Sequence, residues 1–122
     1  MSARLVLLDE ADAELVRRLC EAFVPGSSRV APEVYVDALL AAKPDAERRS
    51  LLADFASLDG ADLAAQTQSE AFATVRAIAC EAFYSDFVAP GAPGPGAYEE
   101  IDFSFPLADR VRKDWSFMGV RG

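Results

Sequence analysis

The helical pattern of this chain is clearest in DEADAELVRRLCEAF, residues 9–23. Its apolar side chains recur every three or four positions, which is the spacing of one helix face. Asp9 can cap the first turn, and the acidic residues that follow suit the positive end of the helix dipole. The apolar face that this helix must bury comprises Leu15, Val16, Leu19, Cys20 and Phe23.

Three later stretches have the same helical spacing. The second begins near Pro32 and ends at Lys43; the third begins around Asp45 and ends at Asp59. The fourth covers about residues 62–87, with an interruption near 66–69. Four helices with short links predict an all-α fold, a small helical bundle. Its expected inward residues are Val36, Leu39, Leu40, Leu51, Leu52, Phe55, Leu58, Phe72, Val75, Ile78, Ala79, Ala82 and Phe83.

A Pro/Gly-rich stretch, APGAPGPGA at residues 89–97, follows the fourth helix. Its three prolines and three glycines in nine residues are incompatible with a helix or a central strand. It lacks the Lys-Ser/Thr ending of a phosphate-binding loop. We therefore expect one domain in which residues 1–88 form the bundle, 89–97 a linker and 98–122 an extended arm.

The arm is rich in aromatic residues, and its lone period-two stretch, residues 100–105, is too isolated to form a sheet by itself. Its apolar side chains either fold back over the bundle or lie across a partner, since full exposure would leave a large apolar patch. Arg110, Arg112, Lys113 and Arg121 suit the rim of a protein interface around an aromatic anchor such as Trp115.

Composition excludes several function classes. The 122-residue chain has a net charge of −8, which argues against nucleic acid as a partner. The absence of histidine excludes a Ser-His-Asp triad, a Cys-His pair and a His-containing metal site. Cys20 and Cys80 are expected to be buried thiols. A further alternative is a small enzyme that uses Tyr84 or an Asp/Glu pair, with or without a bound metal. The sequence shows no clear cluster of metal ligands for it.

The order of motifs resembles the gluconate 2-dehydrogenase subunit 3 family. The resemblance rests on LCEAFVPGSS (19–28), YVDALL (35–40), a Leu-Leu-x-x-Phe segment (51–55), Phe72 and EAFYSDF (81–87). Such subunits are helical, carry no cofactor, and bind and stabilise a large FAD-containing oxidoreductase subunit of the glucose-methanol-choline type, which acts on sugars or alcohols. The resemblance thus implies that FAD belongs to the partner and that catalytic, cofactor-binding and metal-binding residues are absent from this chain.

The implied functional residues are interfacial. Met118-Gly119-Val120 resembles the closing apolar-glycine element of the family. Exported relatives accompany their partner through the twin-arginine pathway, whereas this chain shows no leader and no apolar run of the roughly 20 residues that span a membrane, so we expect a cytoplasmic protein. A free-standing helical adaptor or homodimer is the alternative. The expected partner-binding residues are Phe83, Tyr84, Phe87, Tyr98, Phe103, Phe105, Trp115, Phe117 and Met118.

Overall fold

A computed structural model of the chain describes residues 5–100 and 118–120. Every regular element within these ranges is helical, which confirms the predicted small helical bundle. Two 3-10 turns, Ser27–Val30 and Leu63–Gln66, lie in the connections. The α-helices are α1 (Glu10–Phe23), α2 (Pro32–Ala41), α3 (Asp45–Ser57), α4 (Glu70–Tyr84) and the single turn α5 (Ala97–Glu100).

Local capping explains where the helices begin. The Asp9 carboxylate accepts a hydrogen bond from the Asp12 backbone N–H at 2.8 Å and caps α1. The Ser69 hydroxyl accepts one from the Phe72 N–H at 3.1 Å and caps α4. Pro32 occupies the first turn of α2, where its missing N–H costs nothing. The fourth helix is interrupted near residues 66–69, as expected, but it is shorter than predicted, because the chain forms a 3-10 turn before Ser69 and α4 ends at Tyr84.

The main core lies between α1, α2 and α4, and α3 closes it from the side through contacts with α4 and α1. Its buried members include Val16, Cys20, Leu40, Phe55 and Phe83. A smaller cluster beside it joins α2 and the end of α4 to the Pro/Gly-rich stretch and to Val120. The buried residues of this second cluster are Val34, Tyr35, Ala38, Ala82, Phe87, Ala89 and Val120.

Helix α3 is the least buried of the long helices. Among its residues only Phe55 is buried, while Leu51 and Leu52 are half-buried against the core. Helix α2 is buried on most of its circumference, with seven of its ten residues inside. Phe55 is thus the one buried side chain of α3, which lies at the side of the core, whereas α2 forms the centre of the domain.

A buried carboxylate ties the N-terminal residues to α2. Asp37 is only 2% exposed and accepts hydrogen bonds from the backbone N–H groups of Val6, Leu7 and Leu8 at 2.7, 2.8 and 2.7 Å. Hydrogen bonds to an ionised acceptor are stronger than neutral ones, and three donors satisfy a charge that would otherwise be costly to bury. We call residues 5–8 the N-terminal strap.

No helix in the described ranges combines the length and the apolar character needed to cross a membrane. The stretch with strand-like alternation, residues 100–105, falls almost wholly outside those ranges.

Candidate functional site

The residues expected at a partner interface divide into buried and exposed groups at the end of α4. Phe83 and Phe87 are buried in the two clusters of the chain's own core, so their rings serve folding in this structure. Tyr84 lies between them in sequence and is 59% exposed. Its ring packs edge to face on Phe83, with centroids 5.2 Å apart. Tyr84 is therefore an exposed aromatic side chain on a rigid support.

The remaining expected residues belong to the arm, of which the structure describes residues 98–100 and 118–120. Tyr98, in α5, is 37% exposed. Met118 is half-buried against the second cluster, next to the buried Val120. The other four expected residues, Phe103, Phe105, Trp115 and Phe117, lie outside the described residues.

Asp86 links the segment that carries Tyr84 to the segment that carries Tyr98. It follows the C-terminus of α4 and has a φ of +66°, a left-handed conformation that reverses the chain direction. Its buried carboxylate accepts a hydrogen bond from the Tyr98 backbone N–H at 3.1 Å. A Cβ on Gly96 would lie 2.6 Å from Asp86 Oδ1, so only glycine fits beside this carboxylate. We call Tyr84, Asp86 and Tyr98 the tyrosine site.

Arg29 fastens the Pro/Gly-rich stretch to the bundle. Its Nε donates to the Pro95 carbonyl at 2.9 Å, and its own carbonyl accepts from the Gly94 N–H at 2.9 Å. The guanidinium carbon lies 5.0 Å from the Phe83 ring centroid, within cation–π range. The Ala89 N–H donates to the Val30 carbonyl at 3.0 Å. Residues 89–97, expected as a linker, thus pack on the 3-10 turn Ser27–Val30.

Tyr35 of α2 packs in the second cluster, against the ring that follows Asp86 in sequence. Its ring meets Phe87 edge to face at 5.3 Å. Burial and the neighbouring Glu81 carboxylate raise the pKa of Tyr35 to about 12. The phenol is neutral near pH 7 and acts as a packing group.

Two polar groups that could take part in catalysis, Glu21 and Cys20, have structural partners or are inaccessible. The backbone N–H groups of Gly26 and Ser28 donate to Glu21 and lower its pKa. Burial raises the pKa of the Cys20 thiol to about 12, which makes it a poor nucleophile. Over the described ranges, no three Cys, Asp or Glu side chains gather as a metal site would require. Both cysteines are free.

Sequence reasoning missed Asp37 and Arg29 as organising residues. Asp37 bonds to amides 29 to 31 positions away, and Arg29 reaches Pro95 across 66 positions. Local patterns carry no signal for such distant partners. Asp86 had one signal, since an acidic residue just after a helix is a common turn residue.

The chain matches no family model, no curated protein and no solved structure.

Proposed function

We propose that this chain is a non-catalytic small subunit that binds and stabilises a large FAD-dependent oxidoreductase subunit acting on sugar or glycoside hydroxyls. The observation that carries the proposal is the tyrosine site. Two exposed aromatic side chains, Tyr84 at the end of α4 and Tyr98 at the start of the arm, are carried there by segments that Asp86 connects. The sequence resemblance supplies the class of partner.

Exposed tyrosines on a fixed support suit a protein interface. Tyrosine is enriched among residues that dominate binding energy, because it offers a large contact area at a low cost in conformational entropy. The edge-to-face packing on Phe83 orders the Tyr84 ring, and the hydrogen bond from the Tyr98 N–H to Asp86 fixes the Tyr98 backbone, before a partner arrives. The sequence of the arm adds four further aromatic residues, Phe103, Phe105, Trp115 and Phe117.

The polar interior also favours an accessory role. Its most buried carboxylates, Asp37 and Asp86, accept backbone hydrogen bonds. These hydrogen bonds stabilise the fold and give both carboxylates a structural role. Chemistry then belongs to the partner and its FAD.

Co-purification tests the proposal. The tagged chain is purified gently from its native cell, and the visible spectrum and intact masses of the complex are recorded. We expect a stoichiometric yellow partner. Tyr84→Ala combined with Tyr98→Ala should reduce recovery of that partner at least tenfold, as loss of two interface anchors would. Deletion of residues 98–122 should abolish recovery.

Val6→Ala is the matched control, because Val6 is an apolar side chain that is 61% exposed and belongs to the strap. It should leave recovery of the flavoprotein unchanged. A colourless homodimer in place of a yellow complex would contradict the proposal and favour the adaptor alternative. Recovery of the flavoprotein by the chain without residues 98–122 would refute the role of the arm.

A further inference from the structure

A groove of about 610 Å³ runs between α3, α4 and the end of α2, and none of the expected partner-binding residues lines it. Its volume is in the range of pockets that hold a ligand or a few side chains. The aliphatic part of its lining comprises Leu39, Leu51 and Ile78. Leu51 lines the groove as a half-buried side chain of α3, a helix in which Phe55 is the one buried residue.

Each wall of the groove places a carboxylate next to an aliphatic side chain. On α3, Glu47 and Leu51 are four residues apart, and on α4, Ile78 and Glu81 are three apart, so each pair shares one helix face. Both carboxylates belong to exposed residues. The groove therefore combines an apolar floor with an acidic rim on both sides.

One cation, Lys43, also lines the groove. In the described part of the chain it forms no ion pair within 4 Å with Glu47 or Glu81. One lysine leaves the rim with a net negative charge, in keeping with the net charge of −8. A cationic ligand is thus favoured over an anionic one.

We propose that this groove binds a short amphipathic helix of another protein, in which Lys or Arg residues flank an aliphatic side chain. The aliphatic side chain lies on Leu39, Leu51 and Ile78. The cations face Glu47 and Glu81 on the two walls. A second copy of this acidic bundle is a poor occupant, because like charges would meet across the contact.

A designed peptide tests the inference on the isolated chain, without any flavoprotein. Absence of peptide binding would therefore contradict this inference and leave the proposed function untouched. The probe is fluorescein-labelled KLAKKLAKLAK, and its counterpart carries Glu in place of every Lys. Fluorescence anisotropy on the full chain at low salt should show binding of the basic peptide only. Amide shift changes in ¹⁵N spectra should centre on Leu51 and Ile78.

Glu47→Gln combined with Glu81→Gln should weaken binding at least fivefold. Glu10→Gln combined with Glu14→Gln, at exposed positions on α1, changes the net charge equally and should leave affinity within twofold of wild type. Far-UV circular dichroism verifies that both variants fold. Equal binding of the two peptides, equal losses in the two variants, or shift changes outside the groove would overturn the proposal.

Discussion

Removing the Asp37 carboxylate should destabilise the whole domain. Asp37→Ala leaves three N–H groups without their acceptor. The Leu8 bond is buried, so its loss costs about 1–3 kcal/mol, while water can partly replace the acceptor at Val6 and Leu7, at about 0.5–1 kcal/mol each. The sum is about 3 kcal/mol, a large part of the roughly 5–15 kcal/mol that stabilises a typical domain.

Urea unfolding followed by far-UV circular dichroism measures this loss. With an m-value of about 1.5 kcal/mol/M, the midpoint should fall by about 2 M. The amide protons of residues 6–8 should also move upfield in ¹⁵N spectra, because they lose a charged acceptor.

The matched control is Asp59→Ala, which removes an exposed carboxylate paired with Arg18 at 3.3 Å. Exposed ion pairs contribute about 0–1 kcal/mol, so the midpoint should move little. If Asp37→Ala cost no more than Asp59→Ala, the N-terminal strap would not depend on the Asp37 carboxylate, contrary to this prediction.

Three further predictions concern Gly96, Glu33 and the cysteines. Gly96→Ala places a Cβ 2.6 Å from Asp86 Oδ1 and should cost about 1–3 kcal/mol in thermal unfolding; an unchanged midpoint would contradict this close approach. Burial raises the pKa of Glu33, and one of its carboxylate oxygens is buried and accepts no hydrogen bond. The folded state therefore binds a proton on the Glu33 carboxylate more tightly than the unfolded state does. The wild type should therefore gain stability relative to Glu33→Gln as the pH falls from 7 toward 4.5, and parallel stability curves would refute this. At pH 8 an aromatic disulfide reagent should react with the half-buried Cys80 on the order of 100-fold faster than with the fully buried Cys20, and equal rates would be the contrary result.

The helices could be predicted because their signals are local. Asp9, Pro32 and Ser69 each act within one turn of their own position. The spacing that predicted an apolar face on α1 also holds, since Val16, Leu19 and Cys20 are buried.

The candidate site was less predictable because its geometry depends on distant contacts. The sequence places three aromatic residues, Phe83, Tyr84 and Phe87, near the end of α4, but it does not show which of them is exposed. Tertiary packing buries both phenylalanines and leaves Tyr84 exposed. Likewise, proline and glycine content predicts an irregular path for residues 89–97. That content does not predict that Arg29 and Val30 form hydrogen bonds with residues of this stretch.

The shallow burial of α3 has a consequence for the order in which the domain opens. Local unfolding free energies follow the number of buried contacts, so a helix with one buried residue opens at a lower cost than the global transition. In native-state hydrogen exchange, the amides of α3 should form a separate low-energy unit, while those of α1, α2 and α4 exchange only on global unfolding. The bundle would then consist of a three-helix cooperative centre and one helix that detaches independently.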